Sequence, residues 1–387
     1  MKILSLYDGM SCAWLALQKA EIPIDRYVAY EIDKYAIQTS KHNFPMIEQM
    51  GDVFTADFTQ YEGFDFVMGG SPCTYWSIAQ KNNRETEASG IGWELFSQYV
   101  RAIHEAKPKF FVYENNKSMS KQIRASIDEA FGFEAVCINS ALVSAQNRQR
   151  LYWVGKRNAD GTYRKVCVEQ PEDLGVLLKD VLDNAVAWQD KSYAYTTRCH
   201  GAIIEDTLTR RRHTMCAEPV NITEDGKSQC LRATYYKDGI RNMVGNNIDR
   251  KTCVAESAKV GEIGNGGQGN RIYSICGKSV AQTAQSGGLG SNTGLYAIPT
   301  DKPVYDVKDG MITIKDKRYP IKLSDGYYII RKLTVTECMR LQTVPEWYEW
   351  PVSDTQAYKM LGNGWTVDVI AHLLNAIKEV TNETECN

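Results

Sequence analysis

The chain has 387 residues, 43% of them hydrophobic and 24% charged, with a formal net charge of −2. This excludes a disordered, collagenous or coiled-coil chain and leaves room for two domains with cores of their own. The longest apolar runs, FVMGG and FFVY, are strand-sized, and Met1 leads straight into a strand pattern, so no membrane span or signal peptide is expected and a cytoplasmic location is.

Eleven cysteines form an odd set with no C-x-x-C pair and only five histidines beside them, which reads as reduced thiols rather than a disulfide framework or a metal site. Charge is uneven: −5 over residues 1–190, +4 over 191–260 and −1 over 261–387. A basic middle segment between acidic flanks is weak support for a polyanion partner.

Residues 1–155 alternate short apolar strands with amphipathic helices. KILSLY, RYVAYEI, DFVMGG and KFFVYEN read as strands; CAWLALQKA, KYAIQTSKHNF, LFSQYVRAIHEA and QIRASIDEAFG read as helices, followed by ALVSAQ and RLYWVGKR. The pattern predicts a Rossmann-like, doubly wound α/β domain over 1–185, whose ligands bind beyond the carboxyl ends of the strands. From 186 to 325 the texture turns to Thr, Asn, Gly, Arg and Tyr with short β-like pieces, and 261–294 holds ten of the 29 glycines. A weak echo between GKSQCLRATYYKDG (226–239) and GKSVAQTAQSGGLG (277–290) suggests a repeated turn unit in a smaller, irregular, β-rich domain. Helical patterns return over 326–387, which predicts a C-terminal segment rejoining the first domain.

The informative residues sit just after the strands. SLYDGMSC is a tight turn opening a helix, suited to a polar or anionic ligand although it is not G-x-G-x-x-G. Glu31 follows the second strand, where a carboxylate accepts from ribose hydroxyls, and Asp52 follows the third element. In FDFVMGGSPCTYWS two glycines permit a tight turn, Pro72 fixes φ, and Cys73 stands at a strand end where a polar turn is a poor place to hide a thiol. Glu114, after FFVY, brings a carboxyl to the same crevice. A thiol beside an acid is the minimum equipment for covalent catalysis.

Taken in order, Cys73 in the S-P-C turn, Glu114 in E-N-N, Gln146, Arg148 and Arg150 in QNRQRLYWVG, then RKLTVTECMRLQTVP and LGNGWTV resemble the motifs of the DNA cytosine-5 methyltransferase family, bacterial or phage type. The resemblance covers residues 1–156 and 331–380, and 157–330 correspond to that family's target-recognition region. The family's first motif, D-L-F-x-G-x-G-G, departs here to SLYDGMSC: Ser5 replaces Asp, and Ser11 and Cys12 replace the two late glycines. P-C-Q becomes PCT and E-N-V becomes ENN.

The resemblance implies that the Cys73 thiolate adds to carbon 6 of a flipped cytosine, with Glu114 at ring nitrogen 3 and Arg150 and Arg148 at the exocyclic oxygen and neighbouring phosphate. It implies S-adenosyl-L-methionine as cofactor, with Tyr7 and Gly9 at its methionine end, Glu31 on the ribose, Ile32 and Asp52 at the adenine, Asn363 closing the pocket, and Pro72 also among the cofactor-binding residues. Loop 74–94 is expected to be a lid, with Ser77 and Gln80 contacting DNA; Arg210, Arg211 and Arg212 are expected to do so from the recognition domain. Arg340 and Gln342 are read as structural. The implied partner is double-stranded DNA; the protein is expected to be a monomer, with any cognate restriction endonuclease acting separately. A tRNA cytosine-5 methyltransferase, a silent DNA-binding paralogue and a nicotinamide-dependent oxidoreductase are the weaker alternatives.

Overall fold

In the computed structural model the described residues are 1–77, 84–194, 203–211, 213–220, 259–262, 271–274, 295–297, 304–314 and 316–385. Of these, 220, 259–262, 271–274, 295–297 and 382–385 are described by backbone alone. Contacts divide the chain into two compact units: Met1–Glu218 with Tyr319–Leu323 and Arg331–Asn387, and Pro219–Arg318 with Ser324–Ile330.

The first unit is built on one sheet of β1 (Lys2–Leu6), β2 (Arg26–Tyr30), β3 (Glu48–Gln49), β4 (Phe66–Gly69), β5 (Phe110–Asn116), β6 (Val136–Asn139) and β7 (Gln149–Arg157), with β8 (Tyr163–Lys165) paired to β7. The order is β3-β2-β1-β4-β5-β7-β6. The pairs from β3 to β5 are all parallel, whereas β7 runs antiparallel to both of its neighbours, β5 and β6. The chain order reverses at β1, which has β2 on one side and β4 on the other, so the crevice beyond β1 and β4 is the switch point where such sheets take ligands.

Helices α1 (Cys12–Lys19), α2 (Lys34–Asn43), α3 (Gly90–Ala106) and α4 (Lys121–Phe131) connect the strands. Strand side chains alternate between two cores. Ile3, Tyr27, Phe66 and Val112 join α1 and the C-terminal helices Val335–Leu341, Asp354–Asn363 and Val367–Glu385, while Leu4, Val28, Val67 and Phe111 join α3 and α4. Burial on both faces is why the strands read as continuous apolar runs rather than alternating ones. The returning segment starts with a capping box in which Thr334 Oγ1 accepts from the Glu337 amide while Glu337 accepts from the Thr334 amide.

β6 falls on VCIN, which the sequence reading does not single out, and the first residues of ALVSAQ belong to a 3₁₀ turn, Ser140–Leu142. The first boundary lies at 218/219 rather than 185/186, because Val186 pairs with Ala217 and Trp188 is buried with the first unit.

In the second unit β9 (Lys259–Glu262) runs antiparallel to β10 (Arg271–Ser274), which is parallel to β11 (Leu295–Ala297). β12 (Val304–Lys308) forms a hairpin with β13 (Met311–Ile314) and pairs with the strand Gly326–Lys332 through Val304–Ile329 to Val307–Gly326. The expected repeat and the glycine-rich stretch 264–269 lie outside the described residues.

Candidate active site

β4 ends at Gly69, and the turn Gly70-Ser71-Pro72 delivers Cys73 as the first residue of a 3₁₀ turn, Cys73–Tyr75. Sequence reasoning gave the glycines a turning role, but neither has a positive φ. Space is the reason: a Cβ on Gly69 would lie 2.4 Å from the Leu6 carbonyl oxygen, and one on Gly70 would lie 2.6 Å from the Glu114 carbonyl oxygen and 3.1 Å from Glu114 Oε2. The Gly69–Cys73 turn therefore rests directly on the end of β5. Tyr113 OH bonds Ser71 Oγ at 2.7 Å, and Asn115 Nδ2 donates to the Ser71 carbonyl at 3.1 Å, fixing the turn from the same strand.

Glu114 is nearly buried, and both of its oxygens are engaged. Arg150 Nε meets Oε1 at 3.0 Å and Trp365 Nε1 donates to Oε2 at 2.9 Å. Register explains the first contact, since Asn116 stands opposite Arg150 across the β5–β7 pair. The second is a contact that sequence reasoning missed. LGNGWTV was singled out, yet only Asn363 was given a role from it; Asn363 is exposed.

Arg148 departs from its expected place beside the reacting base. It is 3% exposed, and its guanidinium donates to the carbonyls of Gly362 and Gly364, the latter at 2.9 Å. Burial, and after it the charge of Arg150, lower it to about 10, while Glu114, Tyr152 and Cys73 act in the opposite sense. Arg148 thus clamps the 362–364 backbone that carries Trp365 to Glu114. Gln342 assists: its Nε2 donates to the Leu361 carbonyl at 2.7 Å and its Oε1 accepts from Thr366 Oγ1 at 2.8 Å. Arg340 ion-pairs with Asp183 and Glu346. Beside Arg150 an open cavity of about 380 Å³ is lined by Asn116, Lys117, Ser118, Gln149 and Arg150.

The ends of β1, β2 and β3 form the second half of the site. Tyr7, Gly9 and Ser11 all take left-handed backbone conformations, at φ 58°, 58° and 61°. Tyr7 OH donates to the Leu95 carbonyl in α3, and burial pushes this phenol well above its ordinary range. Glu31 Oε2 accepts from the Gly9 amide at 2.8 Å, and its Oε1 accepts from the amides of Ile32 and Asp33. Asp52 is exposed and caps the turn Val53–Thr55 by accepting from the Phe54 amide. Ile32 is 74% exposed and Phe54 48%. Two uncovered apolar side chains, each next to a carboxylate at a successive strand end, are what an adenosine with its ribose hydroxyls requires.

Near the lid, Ser77 is half-buried and its amide donates to the Cys73 carbonyl, while Gln80 lies outside the described residues. Within the expected lid, 74–94, residues 78–83 lie outside the described residues, and those on either side are bonded to one another and to the body of the first unit. Trp76 is fully buried with its Nε1 on Glu85, the Glu85 amide returns to the Tyr75 carbonyl, and Arg84 donates to the carbonyls of Trp76 and Ser118. Both stems of the loop are therefore fastened. Pro72 is exposed; Arg210 is exposed and paired with Asp206; Arg211 is exposed, and Arg212 lies outside the described residues.

The family profile of C-5 cytosine-specific DNA methylases matches residues 1–379. The chain belongs to that family. Among its relatives, the orphan methyltransferase M.SPRI of Bacillus phage SPR is 24% identical over 97% of both chains. The type II methyltransferase M.HhaI of Haemophilus parahaemolyticus is 23% identical over 96% of this chain and 93% of its own. The fold is also that of the S. pombe Dnmt2 methyltransferase, with a TM-score of 0.53 at 14% identity over 99% of each chain. The protein is thus a DNA cytosine-5 methyltransferase that uses S-adenosylmethionine, and the uncovered Ile32 and Phe54 beyond β2 and β3 suit that cofactor. Among the described residues no helix is long and apolar enough to cross a membrane.

Proposed function

We propose that this methyltransferase acts on cytosines flipped out of double-stranded DNA, with Cys73 as covalent nucleophile. Carbon 5 of cytosine is too weak a nucleophile to be methylated directly. Addition of the Cys73 thiolate forms a sulfur–carbon bond at carbon 6 and pushes an electron pair through the ring toward nitrogen 3 and carbon 5. Glu114 neutralises that charge by passing a proton to nitrogen 3 and takes it back when the thiolate leaves. Both Glu114 oxygens already have donors, so the incoming base displaces one of them. Arg150 is the partner with room to move, since the cavity opens beside it, and it turns from Glu114 to the exocyclic oxygen. Trp365, held by the Arg148 clamp, keeps the other oxygen fixed.

S-adenosylmethionine, when bound, supplies an electrophilic methyl group on its sulfonium. Tyr7 and Gly9 line its methionine end, Glu31 takes the ribose hydroxyls, and Ile32 and Asp52 receive the adenine. Carbon 5 takes that methyl in a new carbon–carbon bond and then gives up its proton to solvent. The electron pair of the broken carbon–hydrogen bond re-forms the 5,6 double bond as the bond from carbon 6 to the Cys73 sulfur breaks, which releases the thiolate and 5-methylcytosine. Flipping costs a few kcal/mol, on the order of 2–5, which DNA contacts offset.

We assign sequence reading to the second unit and to the basic stretch before it, including Arg210 and Arg211. We further propose a cytoplasmic monomer working without a bound endonuclease. The observation that carries the reading is the packing of the Gly69–Cys73 turn onto Glu114, with Arg150 and Trp365 on the two carboxyl oxygens. Bisulfite sequencing of plasmid from cells expressing the wild type or Cys73→Ala tests it. Protected cytosines in one short context, absent from the variant, are expected; protection by both proteins, or by neither while labelled methyl enters RNA, would refute it.

A further inference from the structure

The turn after β1 holds a carboxylate that the reaction above does not use. Asp8 is buried, and its partners are hydroxyls. Ser5 Oγ donates to Oδ1 at 2.6 Å, Tyr27 OH to the same oxygen at 2.6 Å, and Ser11 Oγ to Oδ2 at 2.5 Å. The Asp8 amide donates to the Tyr30 carbonyl, and the Asp8 carbonyl accepts from the Ser11 amide. Asp8 thereby ties Ser11, at the end of the loop that contains the left-handed Tyr7 and Gly9, to Ser5 in β1 and Tyr27 in β2.

The identity of the donors is informative. Ser5 and Ser11 are, with Cys12, three of the four positions at which the first motif departs from D-L-F-x-G-x-G-G, the fourth being Tyr7 in place of Phe. Ser5 stands where that motif has its acid, and Asp8, three residues on, reaches back to it. Ser11 stands where the motif has a glycine, which has no side chain to donate. The third departure, Cys12, is accommodated separately: its sulfur lies where a Cβ on Gly364 would be 3.1 Å away, so the absent side chain at 364 leaves room for it.

The network continues beneath the cofactor site. Ser11 Oγ also bonds Ser40 Oγ at 2.6 Å, and Ser40 Oγ accepts from Gln49 Nε2 at 3.1 Å. It therefore runs from the loop after β1, through α2, to β3, the strand that leads into Asp52 and Phe54. Burial of an acid without a basic partner is unfavourable, and it raises Asp8 to about 6. A residue kept at such a disadvantage is better explained by the shape it imposes than by the stability it adds.

We propose that Asp8 is the positioning carboxylate of the S-adenosylmethionine site, a transposed counterpart of the acid missing at position 5, which acts through Ser5, Ser11 and Tyr27 to hold the loop Tyr7–Ser11 in its receiving shape. The inference rests on the family's cofactor and not on the roles given to Cys73 or Glu114.

Calorimetric titration of the full-length, DNA-free protein with S-adenosylhomocysteine tests it without reference to turnover. Asp8→Ala is expected to weaken binding by about tenfold or more, and Ser11→Ala by a smaller factor. The double variant Ser5→Asp/Asp8→Ser, which moves the acid back to position 5, is expected to recover most of the affinity lost in Asp8→Ser alone. That recovery is a readout that simple loss of packing would not give. If Asp8→Ala does not fold, Asp8→Asn, which keeps the volume and one acceptor, carries the same comparison. Unchanged affinity in a folded Asp8 variant, or a double variant no better than Asp8→Ser, overturns the proposal.

Discussion

Trp365 Nε1 lies 2.9 Å from Glu114 Oε2, a contact between residues 251 positions apart. It makes the C-terminal segment part of the catalytic arrangement. Trp365→Phe keeps most of the ring and removes the donor. It is expected to lower kcat by about tenfold, in line with a hydrogen bond to a charged group worth roughly 1.5–3 kcal/mol, with little change in DNA affinity. Single-turnover kinetics beside gel-shift binding separate the two; a purely affinity-based loss would count against the assignment.

The two arginines of the QNRQR segment should fail differently. Arg148 is buried on carbonyl oxygens, so Arg148→Lys, which loses the forked geometry, is expected to destabilise the fold by about 2–4 kcal/mol and lower its melting temperature. Arg150→Lys is expected to leave melting almost unchanged while cutting kcat/KM by about two decades. Equal thermal losses in the two variants would remove the distinction drawn between clamp and catalytic residue.

Gly70→Ala places a methyl 2.6 Å from the Glu114 carbonyl oxygen, where neither backbone can yield without separating the ends of β4 and β5. A folded protein less stable by about 1–3 kcal/mol, the usual range for overpacking, is expected, with kcat reduced far more than this loss of folding accounts for. Urea unfolding paired with initial rates checks this. Wild-type turnover in Gly70→Ala would show that the turn tolerates displacement from Glu114.

Asp8 gives the stability a pH dependence of definite sign. Burial, the leading cause, raises it to about 6, against 3.8 for an ordinary aspartate. Between those values the folded protein holds a proton that the unfolded chain has released. The contribution of Asp8 to stability is therefore greatest near pH 4, falls as pH rises toward 6, and stays low above that. Asp8→Asn removes this slope, so its stability relative to wild type should improve from pH 4 to pH 7. Denaturant unfolding across that interval measures the difference; a relative stability that declines with pH would reverse the sign assigned here.

Strand and helix order in the first unit was legible because each strand is apolar on both faces and each helix amphipathic, and the strand-end rule located Cys73, Glu114, Glu31 and Asp52. What escaped depends on contacts made at long range. Arg148 and Arg150 look equivalent in QNRQR, and only burial against Gly362 and Gly364 separates them. Trp365 has no role in the sequence reading, since nothing local points it at a carboxyl on β5. Asp8 read as an ordinary turn residue because its donors, Ser5, Ser11 and Tyr27, meet only once β1 and β2 are paired. Gly69 and Gly70 were found for a reason that does not hold: their φ values are negative, and close approach explains them instead.

The covalent role of Cys73 is the central claim, and trapping is its most direct test. A duplex carrying the context found by bisulfite sequencing, with 5-fluorocytosine at the target, cannot lose a proton from carbon 5 after methyl transfer, so an enzyme-bound adduct should persist. Incubation with S-adenosylmethionine followed by intact-mass and peptide mass spectrometry is predicted to find one DNA equivalent attached through Cys73, and none in Cys73→Ala. An adduct on another residue, or no adduct from an enzyme that methylates the unfluorinated duplex, would contradict the account.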